Sequence, residues 1–303
     1  IGAMSTAPAS GQSYAPRSKR THRVVQPGEC IFAVACLDHG HIYGQTNGLL
    51  EAGGTLKAVY DPHPERLDQF LKTYPDSGVR PVDRLEDILE DPEIQLVAAA
   101  AVPSERGLLG CRVMEAGKDY FTDKCPFTTL EQLESARRVA GATARKYMVY
   151  YSERLHVEAA IHTGQLIRDG AIGEIVHMSI MGPHRLGLAN RPEWFFIKDK
   201  YGGILTDICS HQFDQFLYYA DSRDAEILHA RIANFSHPDY PEFEDFGEAI
   251  LKLDTGASCH SRVDWYTPDG LSTWGDGRTF IVGTRGYIEV RKYVDVARDR
   301  VGD

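Results

Sequence analysis

From residue 30 to residue 150 the chain alternates apolar, strand-like runs with amphipathic helical segments, and this alternation restricts the possible fold more than any other feature. The expected order is strand 30–37, helix 42–52, strand 56–61, helix 64–73, short helix 84–89 and strand 94–101. It continues with helix 105–116, strand 119–122, helix 130–141 and strand 147–150. Strands that alternate with helices build βαβ units around a parallel sheet. Val97-Ala98-Ala99-Ala100-Ala101 is apolar without alternation, as a strand covered on both faces requires.

Beyond residue 150 the pattern changes. A helix over 153–169 is followed by strand-like segments 174–181, 225–234, 246–253, 257–264, 279–282 and 287–290, with turn signals such as Asp254-Thr255-Gly256 and Thr267-Pro268-Asp269-Gly270 between them. Neighbouring strands in series predict a mainly antiparallel sheet with few helices. The expected fold class is therefore α/β: an N-terminal Rossmann-type doubly wound parallel sheet, then a C-terminal α+β domain with a large, mostly antiparallel open sheet. Residues 1–22, rich in Ser, Ala, Pro and basic side chains, read as a leader without periodicity. The nucleotide-type domain is expected over 23–150 and the second domain over 151–303, where a charged final stretch suggests an incomplete C-terminus.

With 303 residues, 43% of them hydrophobic, there is enough chain for two cores. A formal charge of −10 argues against nucleic acid or an anionic membrane as a partner. Six cysteines (30, 36, 111, 125, 209 and 259) form no C-x-x-C pair, the usage expected in a reducing cytoplasm. No run approaches the roughly 18 apolar residues of a membrane span, and the N-terminus lacks the apolar stretch of a signal peptide. A cytoplasmic location is expected.

The turn after the first strand reads Cys36-Leu37-Asp38-His39-Gly40-His41-Ile42-Tyr43-Gly44. In a doubly wound domain this turn holds a dinucleotide pyrophosphate at a helix N-terminus. Only Gly40 and Gly44 stand where a G-x-G-x-x-G would be. Asp61 ends the second strand 21 residues after Gly40, where an acid hydrogen-bonds adenine-ribose hydroxyls and repels a 2′-phosphate. NAD is therefore expected over NADP, with Asp38, His39, Gly40, His41, Ile42, Asp61, Pro103 and Lys124 as cofactor contacts. As a turn-initiating residue before Pro62, Asp61 also has a purely structural reading. His39 and His41 form an H-x-H without a third ligand nearby in sequence, and no metal is expected.

Gly202-Gly203-Ile204-Leu205-Thr206-Asp207-Ile208-Cys209-Ser210-His211 places a carboxylate and an imidazole four residues apart, on one face of a predicted helix. Apolar positions 205, 208, 209, 213, 216, 217 and 220 form one stripe, and Asp207, His211, Asp214 and Tyr218 a second, polar one. Such a pair serves proton transfer, or it is a carboxylate offsetting the helix dipole beside a core histidine.

Taken together, Thr122-Asp123-Lys124-Cys125-Pro126 and residues 202–214 resemble the Gfo/Idh/MocA oxidoreductase family. Members carry Glu-Lys-Pro at the end of a strand lining the nicotinamide, and Gly-Gly-x-Leu-x-Asp-x-x-x-His-x-x-Asp in the second domain. Ala58-Val59-Tyr60-Asp61-Pro62 and Gly170-Ala171-Ile172-Gly173-Glu174-Ile175 add matches in the same order, so the resemblance covers about residues 30–290. Two departures stand out: Asp123-Lys124-Cys125 replaces Glu-Lys-Pro, and the glycine fingerprint lacks its first positions.

The resemblance implies an NAD-dependent dehydrogenase acting on a secondary alcohol of a sugar, cyclitol or related polyhydroxy compound. His211 is the expected general base, Asp207 its orienting partner or a substrate contact, and Lys124 the donor that stabilises charge on the reacting oxygen. His184, Arg185 and Trp194, on segments between a strand and the catalytic helix, are expected to join Lys124, Asp207 and His211 in binding substrate. Trp194 can equally well be sheet cover. Glu153, Arg154 and His156 read as surface-helix residues more readily than as site residues. Redox-neutral use of retained NAD, a silent nucleotide-binding regulator and a metal-dependent enzyme built on His39, His41, Asp207 and His211 stay open. The resemblance further implies a homodimer or homotetramer packed through the second-domain sheet, in keeping with an open sheet whose uncovered face needs a partner.

Overall fold

The computed structural model describes residues 23–271, 273–295 and 300–301. The expected leader 1–22 and residues 296–299 and 302–303 of the charged C-terminal stretch lie outside these. The chain divides into two compact units at the Tyr150/Tyr151 junction.

The first unit runs β1 (Ile31–Ala35), α1 (His41–Glu51), β2 (Thr55–Tyr60), α2 (Pro64–Thr73), β3 (Arg80–Pro81), α3 (Leu85–Leu89), β4 (Leu96–Ala99), α4 (Pro103–Glu115), β5 (Asp119–Asp123), α5 (Leu130–Thr143) and β6 (Tyr147–Tyr150). Its sheet has the order β3-β2-β1-β4-β5-β6 with every pair parallel. Side chains alternate across β1: Phe32 and Val34 pack with Ile42, Leu56 and Phe70, while Ala33 and Ala35 pack with Val97, Val113 and Met114. Both faces are thus dry, and each fully buried Phe, Ile or Val contributes about 1.5–3 kcal/mol of transfer free energy. Strand β3 escapes periodicity because it has only two residues, one of them Pro81.

The second unit begins with α6 (Ser152–Leu155) and α7 (Glu158–Arg168), where the sequence pattern predicts one helix; the chain leaves helical geometry at Val157, which is extended. Then follow β7 (Ile175–Pro183), α8 (Lys198–Tyr201), α9 (Ile204–Asp207), α10 (Cys209–Tyr219), β8 (Ala225–Ala233), β9 (Phe246–Leu253), β10 (Ser258–Asp264), β11 (Arg278–Gly283), β12 (Gly286–Arg291), β13 (Val294–Asp295) and β14 (Arg300–Val301). The large sheet is ordered β12-β11-β7-β10-β9-β8, with β7 and β10 parallel and the other pairs antiparallel. One face buries Met178, Ile180, Ala249, Leu251, Cys259 and Ile281 against Phe216 and Tyr219 of α10. Elsewhere on this sheet Ile227, Ile232, Ile250, Val282 and Tyr287 are exposed. Among the described residues no helix is long and apolar enough to cross a membrane.

Candidate active site

In the first unit, β1 has β2 on one side and β4 on the other, so the strand order reverses beside it. Ligands of doubly wound sheets bind at such a switch point, beyond the strand carboxyl ends. Cys36, at φ 56°, turns the chain out of β1, and the loop is tied to the end of β4 by Ala100 N–H donating to Cys36 O and His39 N–H to Ala100 O, both at 3.0 Å. Helix α1 starts from Gly40 with no capping side chain and no acid in its first turn. The His41 N–H reaches His39 Nδ1 at 3.4 Å, and a helix end without an acid favours a ligand's negative charge. Asp61 lies just past β2, where its Oδ2 accepts from Leu37 N–H at 2.6 Å and its Oδ1 from His63 N–H at 2.8 Å. These features fit a dinucleotide. Asp38 pairs with Arg66 at 2.5 Å. Ile42 is fully buried in the core, so only its backbone is left for a cofactor, and Pro103 opens α4 from a buried position.

Both loop histidines converge on Asp123 at the end of β5. His39 Nδ1 lies 2.9 Å from Oδ2 and His41 Nδ1 2.7 Å from Oδ1, while Arg106 Nη2 donates to Oδ2 at 3.1 Å. Burial alone would raise the Asp123 carboxyl; His41, Arg106 and His39 overcome it and hold it well below the usual range. His39 is lowered to about 4, by burial first and then by the nearby His41. Asp123 Oδ1 also accepts from the Lys124 N–H at 2.8 Å, and Arg106 donates to the carbonyls of Ala101, Lys124 and Cys125. The acid and an arginine thus fix the backbone that carries Lys124, in place of a proline. His39, His41 and Asp123 offer three ligand atoms within 4.8 Å of one another, a third ligand that is remote in sequence. The Arg106 cation on the same carboxylate opposes a metal ion there, and we read the cluster as hydrogen-bonded.

In the second unit Gly202 ends α8 at φ 86° and Gly203 enters α9 at φ 94°. A Cβ on Gly203 would meet Lys198 Nζ at 2.2 Å and Glu244 Oε2 at 2.7 Å. That acid caps α9 by accepting from Ile204 N–H at 2.8 Å and pairs with Lys198. The predicted single helix is interrupted at Ile208: Asp207 closes α9 and His211 stands in the first turn of α10. The apolar repeat runs on through the break, which is why the pattern hides it. Both Asp207 and His211 are buried.

Around His211 the structure gathers groups that the sequence does not single out. Glu153 of α6 is buried, not a surface residue as its helical context suggests; its Oε2 accepts from Lys292 Nζ at 2.6 Å and Gln212 Nε2 at 3.0 Å. Gln215 Nε2 donates to the His211 carbonyl at 2.8 Å and reaches Glu153 Oε2 at 3.4 Å. His184 Nε2 lies 3.8 Å from Glu153 Oε1. Burial would raise the Glu153 carboxyl, but Lys292, His211 and His184 drive it far below its usual value. Tyr151 meets the His211 ring edge-on, with centroids 5.9 Å apart. The polar stripe continues outward, where Arg154 holds Asp214 through two bonds of 2.5 and 2.9 Å.

His184 is wedged edge-on against Trp265 and Trp274 and bonds the Gly182 carbonyl at 3.0 Å. Arg185 donates to the Pro268 and Leu271 carbonyls, so it fastens the 266–271 loop. Trp194 packs against Phe195 in an aromatic cluster with Tyr201, Phe243 and Trp265. Arg106 had a signal in sequence, since it shares a helical face with Leu109 and Val113; Lys292 had none.

The oxidoreductase-family model of the GFO/IDH/MocA NAD-binding Rossmann fold matches residues 38–151, and the model of the GFO/IDH/MocA C-terminal domain matches residues 162–289. A solved structure of a protein of proposed oxidoreductase activity from Erwinia carotovora atroseptica SCRI1043 is 44% identical, with a TM-score of 0.87 over 90% of this chain and 81% of that one. D-xylose dehydrogenase of Paenarthrobacter nicotinovorans is 30% identical over 137 residues, 42% of this chain and 34% of that protein. The scyllo-inositol 2-dehydrogenase (NAD(+)) of Bacillus subtilis strain 168 is 25% identical over 240 residues, 78% of this chain. The chain spans about a third of the first curated relative and 66% of the second. With both family models matched in order, and a switch-point loop and an Asp–His helix break built as described, the chain belongs to the Gfo/Idh/MocA family of oxidoreductases with an NAD-binding Rossmann domain.

Proposed function

We propose that this chain oxidises a secondary alcohol of a sugar, cyclitol or related polyhydroxy compound, with NAD as its cofactor. The observation that carries the reading is the pair Asp207 and His211, buried together at the break between α9 and α10. The two curated relatives, a D-xylose dehydrogenase and a scyllo-inositol 2-dehydrogenase, support the substrate class.

NAD, when bound, supplies the hydride acceptor. His211 takes the hydroxyl proton, a task suited to an imidazole near neutral pH. Asp207 orients the imidazole or holds a neighbouring hydroxyl. Lys124 donates a hydrogen bond to the reacting oxygen and stabilises the charge that develops there. Glu153, kept ionised by Lys292, places a negative charge in the electrostatic reach of His211. His184 completes the polar wall, whereas Arg185 and Trp194 shape it through the loop and the aromatic cluster. The exposed apolar residues of the large sheet, among them Ile227, Ile250 and Tyr287, support pairing with a second copy, and a cytoplasmic location agrees with the buried thiols of Cys111, Cys209 and Cys259.

The test is NADH formation across a panel of sugars, inositols, sugar acids and glycosides, with His211→Asn as control. Substrate-dependent NADH from the wild type alone supports the reading. Absence of NADH with every substrate, from protein that binds NAD, refutes it.

A further inference from the structure

We infer that Asp38 fixes the cofactor preference of this chain by holding Arg66 away from the 2′-phosphate of NADP. The inference rests on reading the loop between β1 and α1 as the dinucleotide site. Arg66 lies in the first turn of α2, the third element after that loop, and three residues past His63, whose N–H is bonded to Asp61. Arg66 Nη1 lies 3.9 Å from Oδ1 of Asp61, the carboxylate read as the adenine-ribose contact. A guanidinium so placed ordinarily serves a 2′-phosphate, since its planar fork matches phosphate oxygens.

Here that guanidinium is already engaged. Its Nη1 lies 2.5 Å from Asp38 Oδ1, and the side chains are one-third and about one-seventh exposed, 33% and 15%. Pairing at this depth is screened less than a surface ion pair. Asp61 does not compete for the cation on equal terms, because its two oxygens accept from Leu37 and His63 N–H and its side chain is fully buried. One cation therefore faces two carboxylates, leaving a net negative charge where a 2′-phosphate would add about two more. For NADP to use Arg66, the Asp38 bond must break and leave that carboxylate beside the phosphate. NAD, with hydroxyls at this position, requires neither. Asp38 lies in the turn whose first fingerprint positions are not glycine, so the same turn supplies the carboxylate that neutralises Arg66.

Calorimetric titration of the full chain with NAD and with NADP tests this, using wild type, Asp38→Asn, Asp38→Ser and the double variant D38N/R66A. The ratio of NADP to NAD dissociation constants is expected to fall about tenfold or more in each single variant. In the double variant the ratio should return toward the wild-type value. NADP binding to Asp38→Asn should also weaken more steeply with added salt than NAD binding does. An unchanged ratio in both single variants overturns the inference, and so does a gain that survives loss of Arg66, because Asp38 would then act through its own charge alone. If neither nucleotide binds the folded wild type, the dinucleotide reading itself fails and takes the inference with it.

Discussion

Lys292 donates a 2.6 Å hydrogen bond to Glu153 in a place where both side chains are shut off from water, joining the end of β12 to the short helix α6 next to His211. Buried pairs of this kind are costly to break from one side, because the survivor keeps its charge without a partner. Lys292→Met is expected to lower unfolding free energy by about 3–5 kcal/mol, and E153M/K292M to recover much of that loss. Urea unfolding at pH 7 measures both; a Lys292→Met protein as stable as wild type would show that the pair contributes little. The folded Glu153 carboxyl titrates below its unfolded value of about 4.3, so its contribution is complete above that pH and is lost as the medium is acidified below it.

His39 makes a second pH prediction, at a different range. Its pKa is lowered to about 4 in the folded chain, by burial first and then by His41, against about 6.5 when unfolded. Above pH 6.5 neither state binds the proton, and the full stability is present. Between 6.5 and 4 the unfolded chain binds it first, so stability falls as pH falls. His39→Asn should flatten the slope of urea midpoint against pH in this window, and an unaltered slope would assign the acid sensitivity to other groups.

Turnover should respond sharply to loss of the proposed proton acceptor and of the proposed hydrogen-bond donor to the reacting oxygen. His211→Asn is expected to lower turnover by about 10²–10⁴-fold while NAD still binds, and Lys124→Ala to fall within the same range. Steady-state rates together with nucleotide titration separate the two effects. Near wild-type turnover by either variant on the true substrate removes that residue from the chemistry.

Gly203→Ala should cost about 1–3 kcal/mol, since φ 94° strains any side chain and the new methyl runs into Lys198 and Glu244. Thermal unfolding and activity report it jointly. Activity should drop further than stability alone explains, because the displaced residues set the start of α9, which carries Asp207.

Legibility from sequence follows the range of the interaction. Helix α2 and strand β9 coincide with their periodicity because their burial is set by residues three or two apart. The Asp–His motif was equally visible, but the break at Ile208 was not, as Ile208 and Cys209 are both apolar and both buried. Asp123 stands 82 residues from His41, and Glu153 139 from Lys292, so no spacing in the chain announces either partnership. For the same reason Glu153 reads as solvent-facing: its four-residue helix is too short to display a buried stripe, and the groups that surround it arrive from β7, α10 and the end of β12.

Asp61 is bolted at both oxygens to the chain itself, one to the loop after β1 and one to the entrance of α2. A smaller residue there, the obvious substitution for admitting a phosphorylated nucleotide, would unpin two segments at once and leave their N–H groups without acceptors. If Asp61 meets the adenine ribose as proposed, nucleotide choice and structural integrity are soldered together at this position. On the proposed reading, the route to a changed nucleotide preference runs through Asp38, where a single exchange alters charge and leaves the Asp61 fastening in place.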